Sequence, residues 1–207
     1  MADYKVLVTG HTFRRVSGDH VQRLTAAGCA LINGPYPRAA TEAELLPLVG
    51  EVDAVLASTD AFTRRVLEAA PRLKIISRVG VGYDAIDIEA ATEHGVWVTI
   101  TPGTNEHSVA DLTLALVLAL ARQIVPMAEQ TRAGKWERAI GMELAGATLG
   151  LIGFGRIGRE VALRARAFGT RVIIYDVIRD EEAAASCGAA YVTLEALLAQ
   201  ADFVSLH

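Results

Sequence analysis

The segment 147–176 constrains the fold of this chain more than any other part of it. A short apolar run, residues 148–152, leads directly into the turn Gly153-Phe154-Gly155-Arg156-Ile157-Gly158. A helical stretch and a second apolar run follow, and the second run ends in Asp176. A glycine-rich turn between a strand and a helix, with an acid about twenty residues further on, is typical of dinucleotide-binding βαβ units. The alternative is a glycine-rich turn with only a packing role.

Each residue type in this motif has a predicted task. Gly153 permits a tight turn, Gly155 lets a pyrophosphate approach the backbone, and Gly158 lets the helix pack closely on the sheet. The free N–H groups and the positive dipole end at the helix start would face the phosphates. Asp176 would accept hydrogen bonds from the adenosine ribose and repel a 2′-phosphate, which predicts NAD as the cofactor. Arg179 lies close by and leaves some room for NADP.

Composition narrows the class of protein. The 207 residues are 52% hydrophobic and 21% charged, which is enough apolar material for a packed core. The net charge of −4 and the lack of a basic block argue against a nucleic-acid partner. Cys29 and Cys187 are far apart and form no CxxC, which predicts free thiols in a reducing compartment. No His/Cys/Asp/Glu cluster has the spacing of metal ligands, so no metal is expected.

Targeting and membrane signals are weak. The apolar run near the start covers only residues 6–8, which is too short for a signal peptide. The most apolar segment, residues 109–125, is interrupted by Asp111 and Arg122 and falls short of a membrane span. We therefore expect a cytoplasmic protein without a membrane partner, in which this segment is a buried helix.

The first hundred residues alternate strand and helix patterns, which predicts a parallel sheet covered on both faces. The predicted strands are residues 5–9, 29–32, 54–58, 74–77 and 96–99. The predicted helices are residues 17–27, 41–48, 63–70 and 87–94.

The second half opens with a long predicted helix, residues 106–131, which Pro126 should kink or restart. Its start is ambiguous, because Thr104, Asn105 and Ser108 are all capable of capping a helix. After the glycine-rich turn we predict helix 156–168, strand 171–176, a short helix near 194–199 and strand 203–206.

Two further motifs carry a resemblance to a known family. Residues 77–87, which contain Gly80-Val81-Gly82, resemble the glycine-rich substrate loop of the D-isomer-specific 2-hydroxyacid dehydrogenases. Residues 101–113 resemble the start of that family's long interdomain helix, and the turn 153–158 with Asp176 is similar to its cofactor fingerprint. The match runs in register from about residue 5 to residue 207, and phosphoglycerate dehydrogenases are the most similar members.

This resemblance implies an α/β fold with two parts. Residues 1–103 would form a flavodoxin-like substrate domain, and residues 104–207 would supply the linking helix and the first half of a Rossmann dinucleotide-binding domain. The implied activity is transfer of a hydride between NAD and the C2 atom of a small D-2-hydroxy or 2-oxo acid.

The resemblance also implies substrate-binding residues. Backbone N–H groups of Val81 and Gly82 would hold the substrate carboxylate, although a simple βα turn is the alternative. Arg78 would add positive charge for an anionic substrate, or is a surface arginine. Asn105 is similar to a polar residue near the substrate, or is a helix cap.

On the cofactor side, Arg156 and Ile157 resemble the residues whose amides meet the pyrophosphate. The family's catalytic arginine, acid and histidine come after the third strand of the cofactor domain. We therefore assign no catalytic residue, and we expect the chain as given to be truncated and inactive alone. No histidine of this sequence is a convincing substitute, whether in a glycine-containing loop, on a helix or at the last position: His11, His20, His94, His107 and His207. Asp111 stands where many members have glutamate, and we expect it to be structural.

Two other functions remain open. One is a non-catalytic NAD-binding or oligomerising remnant of such an enzyme, and the other is an enzyme with similar paired α/β domains, such as formate dehydrogenase. We expect a homodimer formed through helix 106–131 and the Lys135-Trp136 loop. We also expect an open sheet edge at strand 148–152, which would favour association and poor solubility.

Overall fold

The computed structural model describes residues 4–10, 13, 15 and 18–207. The chain divides into two compact units that meet in sequence between Pro102 and Gly103. The expected boundary lay one residue later.

The first unit contains a parallel sheet of five strands in the order β2-β1-β3-β4-β5. Its strands are β1 (Tyr4–Val8), β2 (Cys29–Asn33), β3 (Ala54–Ala57), β4 (Ile75–Arg78) and β5 (Trp97–Thr99). Its helices are α1 (His20–Ala26), α2 (Glu42–Leu45), α3 (Arg64–Glu68) and α4 (Ile88–Glu93). This strand order is the flavodoxin-like one, which confirms the predicted fold of this unit. The predicted first helix begins at His20, and residue 17 and His11 lie outside the described residues.

Apolar strand residues and the surrounding helices form the core of the first unit. Leu7, Val55 and Ile76 from the three inner strands are almost fully buried together with Phe62. Burying one such side chain stabilises the fold by roughly 1.5–3 kcal/mol. Gly28, with φ +83°, ends the turn after α1 in the left-handed region that favours glycine.

The second unit contains a parallel sheet of four strands in the order β8-β7-β6-β9. Its strands are β6 (Thr148–Ile152), β7 (Arg171–Tyr175), β8 (Ala189–Tyr191) and β9 (Phe203–Leu206). Its helices are α5 (Glu106–Ala121), α6 (Ile124–Arg132), α7 (Arg156–Ala167), α8 (Glu181–Cys187) and α9 (Leu194–Gln200). This order is the first half of a Rossmann sheet with its fourth strand, which confirms the predicted fold class.

Two sequence predictions for this sheet were wrong. The sequence predicted three strands, but α8 and β8 add a further helix and strand between β7 and α9. The sequence also predicted an open edge at β6, whereas β6 pairs with both β7 and β9. In the described sheet the outer strands are β8 and β9, because β9 crosses to the far side of β6.

The long predicted helix is two helices. It breaks at Gln123, a non-glycine residue in the left-handed conformation with φ +55°, and α6 begins at the next residue. Pro126 occupies the first turn of α6, where its missing N–H costs nothing. A continuous helix would require Pro126 to bond to the carbonyl of Arg122, which a proline ring prevents. The predicted restart at this proline is confirmed.

Helix α5 packs into the core of the second unit. Ala110, Leu114 and Val117 are buried in one cluster with Leu149 and Leu151 of β6. Among the described residues no single helix is long and apolar enough to span a membrane. In this part of the chain α5 and α6 would be long and apolar enough when taken together, but the two helices are bent by 65° at the break between them.

Candidate functional site

The glycine-rich turn lies where β6 ends and α7 begins. Gly153 has φ +100°, and a Cβ there would overlap the backbone carbonyl of His207. A Cβ on Gly158 would overlap the carbonyl of Gly153, so this glycine lets α7 approach the turn. A Cβ on Gly155 would meet nothing within 4 Å. Two glycines are therefore required by packing, whereas Gly155 leaves open space for a ligand.

Helix α7 presents free amides beside this open space. Gly155 is its N-cap, and the first intrahelical bond runs from Arg159 N to Gly155 O at 3.1 Å. The preceding amides, on Arg156 and Ile157, have no carbonyl partner inside the helix. With the positive end of the helix dipole, they form a site suited to a phosphate group. The Arg156 side chain is exposed, and Ile157 packs against the core.

Asp176 follows β7 and lies beside the glycine-rich turn. One carboxylate oxygen accepts a hydrogen bond from Phe154 N at 2.6 Å, and the other accepts one from Ile178 N at 2.9 Å. The hydrogen bond from Ile178, and then that from Phe154, hold the pKa of Asp176 below its usual range. The carboxylate is therefore ionised at neutral pH and retains lone pairs for hydroxyl donors.

Asp176 connects two clefts of the second unit. A cleft of about 460 Å³ is lined by Ile152, Gly153, Tyr175, Asp176, Val177, Leu206 and His207. A cleft of about 520 Å³ is lined by Tyr175, Asp176, Arg179, Tyr191, Val192, Thr193, Leu194 and Glu195. In the first cleft, burial lowers the pKa of His207, so its imidazole is neutral at pH 7. The structure thus brings the predicted cofactor residues to one edge of one sheet.

The second candidate site is the loop after β4 in the first unit. Gly80 N donates to Thr101 Oγ1 at 2.9 Å, and Val79 N donates to Ala57 O at 2.8 Å. Within the described part of the chain, the N–H groups of Val81 and Gly82 donate no hydrogen bond. Two adjacent free amides at the carboxyl end of a parallel sheet suit a carboxylate.

Arg78 folds back over this loop. Its guanidinium lies where a Cβ on Gly80 would be, and it donates to the carbonyl of Val79. Its Nε atom is buried and has no hydrogen-bond partner in the described residues. Arg78 is therefore half-buried beside the free amides rather than extended into solvent as a surface arginine.

Asn105 is the N-cap residue of α5, in the second unit. Its carbonyl accepts from Val109 N at 2.9 Å, but its side chain makes no capping hydrogen bond. Helix capping by the side chain therefore does not explain the amide group at this position.

Comparison with known proteins places this arrangement in a family. Residues 114–207 match the sequence model of the D-isomer specific 2-hydroxyacid dehydrogenase NAD-binding domain. Residues 114–207 are therefore a D-isomer specific 2-hydroxyacid dehydrogenase NAD-binding domain. Its cofactor is accordingly NAD.

Individual proteins are similar to this chain over more than residues 114–207. A glyoxylate reductase of Thermococcus litoralis is 46% identical over 181 residues, which are 83% of this chain and 55% of that protein. A D-3-phosphoglycerate dehydrogenase of Methanocaldococcus jannaschii is 45% identical over 171 residues, 81% of this chain and 33% of the other. The D-lactate dehydrogenase of Aquifex aeolicus, solved with NAD and lactic acid, superposes with a TM-score of 0.79 at 28% identity over 98% of this chain and 60% of that one.

The chain spans about half the length, 51–55%, of the glyoxylate and hydroxypyruvate reductases that it matches. Among solved structures, it covers 64% of the TT0316 protein from Thermus thermophilus, with a TM-score of 0.82 and 39% identity.

Sequence reasoning missed two side-chain networks of this 2-hydroxyacid dehydrogenase domain. In one, Arg164 of α7 forms ion pairs with Asp111, at 2.7 Å, and with Glu160. Glu160 also contacts the Nδ1 atom of His107 at 3.0 Å. This network joins α5 to α7, which gives Asp111 a structural contact. The other network surrounds Tyr191, and no sequence pattern indicated it because β8 had not been predicted.

Proposed function

We propose that the whole protein is an NAD-dependent oxidoreductase that acts on the CH–OH group of a small D-2-hydroxy acid. The observation that carries this proposal is the group formed by the open Gly155 backbone, the free α7 amides and the ionised Asp176 at one sheet edge. Bound NAD would supply the hydride chemistry.

In this proposal the cofactor is held mainly by backbone groups and one acid. The amides of Arg156 and Ile157 bind the pyrophosphate, together with the α7 dipole. Asp176 accepts hydrogen bonds from the adenosine ribose hydroxyls. Gly153 and Gly158 maintain the turn that brings these groups together. Titration of NADH fluorescence against the 207-residue chain tests this arrangement, and a chain that folds but does not bind NADH would contradict it.

The substrate end uses the loop after β4. The free amides of Val81 and Gly82 hold the substrate carboxylate, and Arg78 adds positive charge beside them. Asn105 is a further candidate for a polar contact with the substrate. These four residues are the substrate-binding set that we propose.

The finer proposal is a phosphoglycerate dehydrogenase-like substrate. Arg78 carries it, because a half-buried guanidinium in the same loop as two free amides would supply a cation for an acid with a second anionic group. In the whole protein, 3-phosphoglycerate should then be preferred to lactate, and Arg78→Gln should reduce this preference about tenfold or more. Unchanged selectivity in that variant would contradict the role of Arg78. A preference of the whole protein for glyoxylate or hydroxypyruvate would contradict the finer proposal and favour the reductase activity named for other relatives of this chain.

The alternative is a non-catalytic NAD-binding or oligomerising role for these 207 residues. The resemblance places the catalytic arginine, acid and histidine in the part of the relatives that this chain does not match. General acid–base catalysis is typically worth ~10² to 10⁴ in rate. We therefore expect the purified 207-residue chain to bind NADH without reducing 2-oxo acids. NADH oxidation above background, monitored by absorbance, would contradict this expectation.

We also propose a homodimer in the full-length form. Helix α5 carries an exposed apolar stripe of Leu112, Leu116 and Leu120, which are 59%, 57% and 67% exposed. Trp136 and Ile140 in the following loop are 91% and 96% exposed. Large exposed apolar surfaces of this kind mark protein–protein contacts.

The cellular setting that we propose is the cytoplasm, with a small molecule rather than nucleic acid or a membrane as the partner. The net charge of −4 and the free thiols of Cys29 and Cys187 support it. Fractionation of cells that express a tagged protein would test this location.

A further inference from the structure

Two aromatic rings with an arginine at each end form a column near Asp176. The Arg179 guanidinium lies 4.7 Å from the centre of the Tyr191 ring. That ring meets Phe154 edge-on at 6.1 Å, and the Arg159 guanidinium lies 5.6 Å from the centre of the Phe154 ring. The column therefore runs from the segment after Asp176 to the glycine-rich turn.

Hydrogen bonds hold the Arg179 end of this column. The Tyr191 hydroxyl accepts from Asp180 N at 2.9 Å, which fixes the segment after β7 to β8. Asp180 also receives a hydrogen bond from Arg159 at 2.7 Å. On the other side of Arg179, Ile178 N donates to Asp176 at 2.9 Å, so the backbone that carries Arg179 is anchored on both sides. The guanidinium therefore stacks on a ring with a fixed position.

Glu181 forms an ion pair with Arg179. Arg179 donates to Glu181 through Nε at 2.9 Å and through Nη2 at 2.7 Å, while its side chain remains 61% exposed. Arg179 and Asp176 both line the 520 Å³ cleft. Apart from the hydrogen bonds from Ile178 and Phe154, the positive charge of Arg159 also helps to lower the pKa of Asp176. Arg179 is therefore a cation in the cleft that is engaged by Glu181.

We infer that Arg179 is a second determinant of cofactor specificity, and that Glu181 keeps it from binding the 2′-phosphate of NADPH. This inference rests on the proposed cofactor site. Arginine binds phosphate through two parallel hydrogen bonds. The Nε and Nη2 groups that could form them both donate to one oxygen of Glu181, Oε1. NADPH is disfavoured by two carboxylates: Asp176 repels the phosphate directly, and Glu181 competes for the cation that would bind it.

The test is a titration of NADH and NADPH fluorescence against the 207-residue chain and its variants. In an Asp176→Ala background, Glu181→Gln should raise NADPH affinity about tenfold and change NADH affinity less than about twofold. Adding Arg179→Gln should abolish that gain. Glu181→Gln alone should also raise NADPH affinity, so the inference remains testable if Asp176→Ala fails to fold.

Glu182→Gln is the matched control, because it removes the same charge from the same turn of α8. A gain in NADPH affinity that Glu182→Gln reproduces, or that survives Arg179→Gln, would overturn the role of Arg179. No gain in a chain that binds NADH would also overturn it and leave the proposed function standing. A folded wild-type chain that binds neither dinucleotide would overturn both.

Discussion

Three glycines of one motif have different tasks at the residue scale. Gly153 and Gly158 are required because a side chain at either position would overlap backbone. Gly155 has extended backbone and open space around its α-carbon. Its lack of a side chain therefore matters for a ligand rather than for the fold.

Gly155→Ala should separate binding from folding. We expect the free energy of unfolding to change by less than about 1 kcal/mol, because alanine fits both the backbone and the space. NADH affinity should fall about tenfold or more, since the methyl group occupies the approach to the backbone. Denaturant unfolding and NADH titration measure the two effects. Gly153→Ala is the contrasting variant and should destabilise by about 2 kcal/mol. Unchanged NADH binding in Gly155→Ala would exclude this turn as the phosphate site.

Asp176 should determine the preference for NADH over NADPH. Its ionised carboxylate accepts hydrogen bonds from ribose hydroxyls and repels a 2′-phosphate. We expect wild type to bind NADH about tenfold or more tightly than NADPH, and Asp176→Ala to narrow that gap. The ratio of the two dissociation constants is the useful measurement, because general damage to the turn affects both cofactors. Equal or better NADPH binding by the wild-type chain would contradict the assignment.

At the element scale, short helices depend on their caps. Helix α2 has only four residues and begins with a capping box, in which Glu44 accepts from Thr41 N at 2.9 Å. Arg38 adds a hydrogen bond to each oxygen of Glu44. The hydrogen bond from Arg38, followed by that from Thr41, lowers the pKa of Glu44 to about 2.

Glu44 should stabilise the first unit in a pH-dependent way. The pKa of Glu44 is lower in the folded chain than in the unfolded chain, where it is about 4.3. Glu44 therefore contributes its full stabilisation of the folded state at pH values above about 4.3. That contribution is lost as the pH falls through about 2. Glu44→Gln should melt below wild type at pH 7, and the two curves should converge near pH 2. Thermal melts between pH 2 and 7 measure this, with Glu68→Gln as the exposed control. A difference in melting temperature between wild type and Glu44→Gln that does not change with pH would contradict the role of the Glu44 charge.

Exposed apolar surface decides association at the scale of the whole molecule. The α5 stripe and the Trp136 loop belong to the second unit, whose sheet also ends in strand β9 with Leu206 75% exposed. An unpaired strand edge is a template for pairing with another chain. Both features favour association of these 207 residues.

We expect the 207-residue chain to form dimers or larger species, to be poorly soluble and to unfold well below a complete relative. Leu116→Glu with Leu120→Glu should shift it toward monomer, because buried charges would lack partners in the contact. Leu198→Glu, another exposed leucine, is the control. Light scattering with a thermal melt provides the measurement. A soluble wild-type monomer with a sharp, high-temperature transition would show that these surfaces need no partner.

The sequence by itself determined the alternation of strands and helices, the glycine-rich turn and the position of Asp176. These features depend on residues close in the chain, where periodicity, turn glycines and a proline act locally. The sequence did not predict the short α8 and β8, because an alanine-rich segment has little hydrophobic periodicity. The local signals were nevertheless present, since Asp180 caps α8 and Gly188 ends it.

Only the tertiary structure decided which distant residues meet. It placed β9 rather than β6 at the sheet edge, and it set Arg179 on Tyr191 and Arg78 over Gly80. Such contacts depend on the packing of whole elements and on competition among several partners for one charged group. No short window of sequence contains that information, because each partner is chosen by where the strands and helices bring it.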